Sequence, residues 1–157
     1  MSLFNILTVL GLALLAAGCC GFAMVKGGPA ERYGAGIYGL AWFGVAGYEF
    51  FSGQAAPSVP ILGFDLAVAI GFLILAVRFN SLWLGAAMIM QGAVFGLHVS
   101  RLTEDTEPRL FGLHFYVLAM NVISVLILFV MVGAALTTQH RRKHPKADDD
   151  QMWEPAT

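Results

Sequence analysis

The chain has 157 residues, of which 58% are hydrophobic and 12% are charged, and its mean hydropathy is +0.74. These values exceed what the core of a soluble domain requires and indicate a single-domain integral membrane protein. The net charge of -1 makes nucleic acid an unexpected partner. The two cysteines, Cys19 and Cys20, are adjacent, so they lack the spacing of a zinc site or a redox pair.

Five apolar runs follow one another along the chain, each about long enough to cross roughly 30 Å of hydrocarbon as a helix. We place the spans at residues 3–25, 33–51, 61–77, 82–102 and 111–136, within one bundle of residues 1–137. Residues 138–157 are polar and are expected to form a disordered tail. The predicted fold is an all-α membrane protein with five transmembrane helices, in which helices 2–3 and 4–5 form two antiparallel hairpins.

The distribution of Lys and Arg predicts the orientation in the membrane, because cytoplasmic segments are enriched in these residues. With the C-terminus cytoplasmic, seven cationic residues lie inside: Lys26, Arg32, Arg78, Arg141, Arg142, Lys143 and Lys146. Only Arg101 and Arg109 then lie outside. We therefore expect a bacterial inner-membrane protein whose N-terminus and both hairpin turns face the periplasm.

The first span has an alternative interpretation as a lipoprotein signal that would be cleaved before Cys19. Residues 16–19 resemble the cleavage box of such signals, but Ala16 stands where Leu is favoured, and no Lys or Arg precedes the apolar run. Cleavage would also move Lys26 and Arg32 outside, against the charge bias. We expect the first span to be retained as a helix.

Small residues at intervals of four predict where helices approach closely in a membrane. Such pairs are Ala17 and Gly21 on the first span, and Gly92 and Gly96 on the fourth; Gly63, Ala67 and Gly71 repeat the spacing on the third. These faces are expected to pack against neighbouring helices.

Four ionisable residues lie within the predicted spans, each eight residues from the centre of its own hairpin turn: Glu49, Asp65, His98 and His114. The turn centres are Pro57 and Thr106. Since equal distances from turns on one side give equal depths, we expect the four side chains to share one level near the periplasmic face. Ionisable residues inside spans are costly and are candidates for function.

Four interpretations of this polar cluster remain open. The side chains could be interfacial groups that hydrogen-bond to each other, to loops or to water. All four together could bind a divalent metal such as zinc, iron or manganese. His98 and His114 could be the axial ligands of haem b. Glu49 and Asp65 could be titrating groups of a proton or solute path.

A second polar level is predicted two helical turns deeper. Gln91 precedes His98 by seven residues and Asn121 follows His114 by seven, so each amide shares a face with its histidine. Ser124 continues the face that begins at Asn121. We expect Gln91 and Asn121 to form a hydrogen-bonded pair near the middle of the membrane, because an unpaired amide is costly there.

The basic residues after the fifth span form a patch just inside the membrane: Arg141, Arg142, Lys143 and Lys146. Such a patch attracts anionic lipid and anchors the topology.

The ordered set of Asp65, the run Leu75 to Trp83, and then Gln91, His98 and Arg101 resembles a group of small multi-pass bacterial inner-membrane proteins. Leu84 departs from the group, in which Pro follows the Trp. The resemblance spans about residues 30–144 and implies membrane class without an activity.

The sequence contains no phosphate loop, nucleophile elbow, zinc-protease helix or dinucleotide fingerprint, so a catalytic role is not expected. The leading hypothesis is a non-enzymatic accessory or scaffold subunit whose partners are lipid and another membrane protein or a second copy. The alternatives are a metal- or haem-binding protein and a small proton or solute transporter.

Overall fold

The computed structural model describes residues 3–53, 58–103 and 113–143, with backbone only for residues 3–9, 113 and 114. Its secondary structure in these ranges is helical: α1 (Leu3–Lys26), α2 (Pro29–Ser52), α3 (Val59–Phe79), α4 (Leu82–Thr103) and α5 (Leu113–Lys143). The all-helical class predicted from the sequence is confirmed.

The helices form a closed ring in chain order. Each helix packs against the helix that follows it in sequence, and α1 packs against α5. The contact between α3 and α4 is the most extensive, and α2 also touches α5 across the ring. This arrangement leaves a space between the helices to which all five contribute.

Three of the described helices are long and apolar enough to cross a membrane: Val59–Phe79, Leu82–Thr103 and Phe115–Lys143. The described side chains of α1 form a shorter apolar helix, Leu10–Lys26. Helix α2 is less apolar, because it contains five glycines together with Glu31, Arg32 and Glu49. The chain therefore has the composition and the helices of a membrane protein.

The turn between α1 and α2 is held by Glu31, which the sequence had suggested was part of a polar loop. Pro29 is the first residue of α2, and Glu31 accepts a hydrogen bond of 2.7 Å from the backbone N–H of Gly28. This is the carboxylate half of a capping box. The other carboxylate oxygen accepts a bond of 3.2 Å from the Thr138 hydroxyl. Glu31 is thus buried and ties the turn to the end of α5.

Gly27 lies where this turn leaves no room for a side chain. A Cβ there would overlap the carbonyl oxygen of Ala23 and lie 2.5 Å from Glu31 Cβ. We predict that Gly27→Ala destabilises the protein by about 1 to 3 kcal/mol, the usual cost of overpacking. Thermal unfolding in detergent measures the change. The matched control is Gly18→Ala, where nothing lies within 4 Å and Ala is the better helix former. Equal stability of the two variants would contradict the proposed close approach.

Helices α3 and α4 meet at a two-residue corner, within the tight turn predicted for residues 78–81. Asn80 adopts the left-handed conformation with φ of 46°, which Asn tolerates better than most residues. The backbone N–H groups of Asn80 and Ser81 both donate to the carbonyl of Ala76. The Ala76 carbonyl thus accepts two bonds where α3 ends, and α4 runs back antiparallel to α3.

The core contains small residues, but they are not those that the sequence pattern predicted. On α1 the buried positions are Ala16, Cys20 and Ala23, whereas Ala17 and Gly21 are exposed. Gly92 and Gly96 also face away from the bundle, since nothing lies within 4 Å of an added Cβ. On α3 the prediction holds for Gly71, where an added Cβ would lie 3.1 Å from Ile37 of α2, but not for Gly63 and Ala67, which are exposed. It fails at the other positions because spacing alone shows that residues share a face, not which way that face points.

Helix α5 continues to Lys143, seven residues beyond the predicted end of the span. The expectation of disorder is therefore wrong for residues 138–143, because polar residues end an apolar run without ending a helix. Arg141, Arg142 and Lys143 lie in the exposed last turn, and Lys146 lies outside the described residues. The basic patch is thus carried in part by a helix that extends past the apolar segment.

Candidate functional site

A cavity of about 280 Å³ lies between the helices, and residues from all five line it. Its polar lining consists of seven side chains: Tyr38, Glu49, Asp65, Gln91, His98, Asn121 and Ser124. Trp42 and Phe64 are prominent among the apolar lining residues. Binding sites for small molecules have this composition of apolar walls with a few convergent polar groups.

Helical periodicity brings the lining residues together. On α2, Tyr38, Trp42, Val45 and Glu49 recur every three or four residues and so share one face. On α4, Gln91, Val94 and His98 do the same. Asp65 faces them from α3, six residues after its start. Glu49, Asp65 and His98 therefore lie towards the end of the bundle that is marked by the end of α2 and the start of α3, and the remaining polar groups lie deeper.

Asp65 is the centre of the polar contacts. Gln91 Nε2 donates a hydrogen bond of 2.8 Å to Asp65 Oδ1, and His98 Nε2 lies 3.1 Å from Asp65 Oδ2. Since Gln91 and His98 are two turns apart on α4, one carboxylate bridges both turns. The His98 side chain is about 2% exposed and that of Asp65 about 13%. This polar contact accompanies the most extensive helix packing in the bundle.

The contact between Asp65 and His98 is electrostatic more than a well-formed hydrogen bond. Although Oδ2 is 3.1 Å from the ring nitrogen, it has no hydrogen-bond partner of acceptable angle and is itself buried. A buried carboxylate oxygen without a good donor is costly. The contact of Oδ2 with His98 is therefore weaker than the bond that Oδ1 accepts from Gln91.

Tyr116 of α5 completes a chain of polar contacts across three helices. Its hydroxyl oxygen lies 2.6 Å from His98 Nδ1, and the two rings pack edge to face at 5.7 Å. When Nε2 carries the proton that faces Asp65, Nδ1 accepts from the Tyr116 hydroxyl. Tyr116 thus contacts His98, His98 contacts Asp65, and Asp65 contacts Gln91. These contacts link α5, α4 and α3.

Tyr116 is a site residue that the sequence analysis did not single out. The structure buries it to 6% exposure against His98. A Tyr near a helix end also suits a membrane interface, because its ring is apolar and its hydroxyl needs a partner. A signal was nevertheless present: Tyr116 shares helical spacing with Met120 and Ser124, which line the cavity.

The structure brings together three of the four residues predicted to form the polar cluster. Asp65 and His98 are in contact, and Glu49 lines the same cavity. The side chain of His114 lies outside the described residues.

The deeper polar level differs from the expectation. Gln91 hydrogen-bonds to Asp65 of α3, whereas we expected a bond to Asn121 of α5. Asn121 and Ser124 line the cavity, and the Ser124 carbonyl accepts a long bond of 3.5 Å from the Tyr38 hydroxyl. The polar residues that were expected to pair directly instead surround a shared space.

The described residues alone do not form the metal or haem site considered from the sequence, and the His114 side chain that both sites would use lies outside them. Among the residues with described side chains, no three His, Cys, Asp or Glu groups lie together as metal ligands would. Both ring nitrogens of His98 face protein partners, Asp65 and Tyr116, so neither is directed at an iron. Cys19 and Cys20 are free thiols, and Cys20 belongs to the packed core.

The electrostatics of the cavity favour positive charge. Two carboxylates, Glu49 and Asp65, border it, and the described lining contains neither Lys nor Arg. Arg101 lies on α4 within electrostatic range of the Tyr116 hydroxyl, beyond the cavity wall. Comparison with known proteins adds no family or activity to this geometry, since no protein-family model, curated protein or solved structure matches the chain.

Proposed function

We propose that this protein is a multi-pass membrane protein that binds a small organic cation, an amine or quaternary ammonium compound, in the cavity between its helices. The observation that carries the proposal is the Asp65 carboxylate, whose buried Oδ2 has no hydrogen-bond donor of acceptable angle, beside a cavity bordered by a second carboxylate. Solute binding of this kind is the activity of small transporters, one of the alternatives that the sequence left open.

The aromatic lining supports a cation of low charge density. Tyr38, Trp42 and Phe64 border the cavity, and the faces of such rings attract cations, with Trp the most effective. Amines and quaternary ammonium groups combine positive charge with apolar surface, so they suit a site that is lined by both aromatic rings and carboxylates. Asn121 and Ser124 supply polar groups for a hydroxyl or amide on the same solute.

The volume of the cavity limits the size of the solute. A space of about 280 Å³ lies at the lower end of the range of roughly 300 to 1,000 Å³ typical of ligand sites. It would take a molecule of about ten non-hydrogen atoms or fewer, given that one water molecule accounts for about 30 Å³. Larger lipid-like cations are therefore not the expected ligand.

Choline provides a direct test, because its uncharged carbon isostere, dimethylbutanol, has nearly the same shape. We predict that choline binds saturably to the detergent-solubilised protein and raises its unfolding temperature. Dimethylbutanol should bind at least about tenfold more weakly, a loss of about 1.4 kcal/mol that reflects the missing charge. Isothermal titration and thermal unfolding measure both ligands. Equal affinity for the two compounds, or binding of neither, would rule out a site selective for cations.

A binding role is proposed rather than a catalytic one. The order Tyr116, His98, Asp65 superficially matches a nucleophile, a base and an orienting acid. Tyr116 is only 6% exposed, however, and is not part of the cavity lining. A substrate in the cavity would meet the ring of His98 and not the Tyr116 oxygen, so the arrangement favours holding charge over forming a covalent intermediate.

We propose that all five helices span a bacterial inner membrane, with the N-terminus periplasmic and the C-terminus cytoplasmic. Support comes from the distribution of basic residues. If every helix crosses the membrane, Lys26, Arg32, Arg78 and the basic end of α5 all lie on the same side of it. In this orientation the polar contacts of Asp65 lie near the periplasmic face. Positive charge at the extended end of α5 is expected to contact anionic lipid.

The accessory or scaffold role remains a second proposal. The observation that favours it is the outward glycine face of α4, formed by Gly85, Gly92 and Gly96, each with open space around an added Cβ. Such a face allows another helix to approach closely in a membrane. A second copy of this chain or another membrane protein could pack there, and crosslinking in native membranes would identify the occupant.

A further inference from the structure

We infer that binding of a cation in this cavity releases one proton from His98, so that the cation and the proton exchange. The inference rests on the proposed function and adds to it how the site is coupled to pH. It is carried by the geometry of His98, whose two ring nitrogens connect the carboxylate beside the cavity to a hydroxyl outside its lining.

The chain of contacts accommodates both protonation states of His98. In the imidazolium, Nε2–H faces Asp65 Oδ2, and Nδ1–H donates to the Tyr116 oxygen. In the neutral ring, Nε2–H still faces Asp65, while Nδ1 accepts from the Tyr116 hydroxyl. The two states therefore differ by one proton and by the direction of a single hydrogen bond, and no side chain has to move.

The Nδ1–H bond of the imidazolium breaks, its electron pair stays on Nδ1, and water is the final acceptor of the proton. The ring remains neutral with its Nε2–H on Asp65, and the Tyr116 hydroxyl then donates its own proton to Nδ1. One positive charge leaves the site, and the bound cation restores it.

The charges around His98 explain why the cation and the proton compete. Asp65 faces the ring from α3, Tyr116 from α5 and Glu49 across the cavity from α2, and Arg101 follows on α4 itself. The His114 side chain lies outside the described residues. The positive charge of the imidazolium neutralises Asp65, and a cation in the cavity needs the same negative charge. Like charges a few ångströms apart in a poorly solvated site repel strongly.

Linkage determines the direction and size of the pH effect. If one proton leaves for each cation bound, the affinity for the cation must rise with pH, because deprotonation of His98 leaves the Asp65 charge available. With one proton released per cation bound, the affinity for the cation changes by at most tenfold per pH unit. The affinity is measured between about pH 5 and about pH 8, the range in which imidazoles generally change charge.

Choline is a suitable probe, since its quaternary nitrogen carries no proton that it could release itself. Choline is added to the weakly buffered, detergent-solubilised protein, and a pH indicator reports the protons released per choline bound. We expect up to one proton per choline, and an affinity for choline that rises by as much as about tenfold per pH unit. Choline binding without proton release would overturn the coupling and leave the proposed function standing, whereas absence of choline binding at every pH would overturn both.

Two variants locate the source of the proton. His98→Gln keeps a donor towards Asp65 but cannot change its charge, so its affinity for choline should no longer depend on pH and no proton should be released. His140→Gln removes an exposed histidine at the other end of the bundle and should release protons like the natural protein. Unchanged proton release in His98→Gln would overturn the assignment to His98. If that variant does not fold, the count of protons released by the natural protein decides.

Discussion

Replacing Asp65 by Leu is expected to destabilise the helical bundle by about 3 to 5 kcal/mol, the cost of removing one partner from a buried charged pair. The Leu side chain has a similar volume, so little of this loss would come from packing. Instead, the amide of Gln91 and the Nε2–H of His98 would both lose their acceptor in the interior. Denaturant titration in detergent, followed by circular dichroism, measures the free energy of unfolding.

Asp65→Asn is the matched control, since it keeps both contacts without the charge. The amide oxygen can accept from Gln91, and the amide nitrogen can donate to His98 Nε2, provided that the ring moves its proton to Nδ1 and donates to Tyr116. We expect this variant to retain most of the stability and to lose at least about tenfold in choline affinity. If Asp65→Leu proved as stable as the natural protein, Asp65 could not be the centre of the polar contacts.

The contact between Asp65 and His98 could be anticipated from the sequence by counting. Both residues lie eight positions from the centre of a hairpin turn, and turns on one side of a membrane place such residues at one depth. The short corner at Asn80 makes α3 and α4 antiparallel neighbours. Depth and adjacency together are enough to bring two polar side chains within reach.

The sequence could not predict in the same way which neighbouring helix a given helix face contacts. Periodicity shows that Gln91 and His98 share a face of α4, but not that this face points at α3 and not at α5. The neighbour of a face depends on how all five helices close into a ring, and that depends on the sum of many packing contacts. The same limit explains why Gly92 and Gly96 were expected inside and lie outside.

Helical periodicity in the sequence could not predict the cavity either. Asn121 was expected to hydrogen-bond to Gln91 across a close helix contact, whereas it borders, with Ser124, a space of about 280 Å³. Whether two polar faces touch or stand apart depends on the separation of the helices, which the large rings of Trp42 and Phe64 help to set. The sequence shows that the residues are polar and share a depth, but not how far apart they are.

Filling the cavity is expected to abolish cation binding while leaving the fold intact. Ala41 lies on α2 among the lining residues, so Ala41→Leu would project its additional carbons into the space that we assign to the cation. We predict at least a tenfold loss of choline affinity, about 1.4 kcal/mol or more. The free energy of unfolding should change by less than about 1 kcal/mol, because the new side chain enters an existing space and need not displace packed neighbours.

The matched control is Ala67→Leu, which adds the same atoms on the exposed face of α3. In a membrane this position faces lipid or detergent, where a larger apolar side chain costs little. Choline affinity should then equal that of the natural protein. If Ala41→Leu bound choline normally, the cation site would have to lie elsewhere. If Ala41→Leu unfolded the protein while Ala67→Leu did not, the space between the helices would be too small to hold even a short side chain, and a solute could not occupy it.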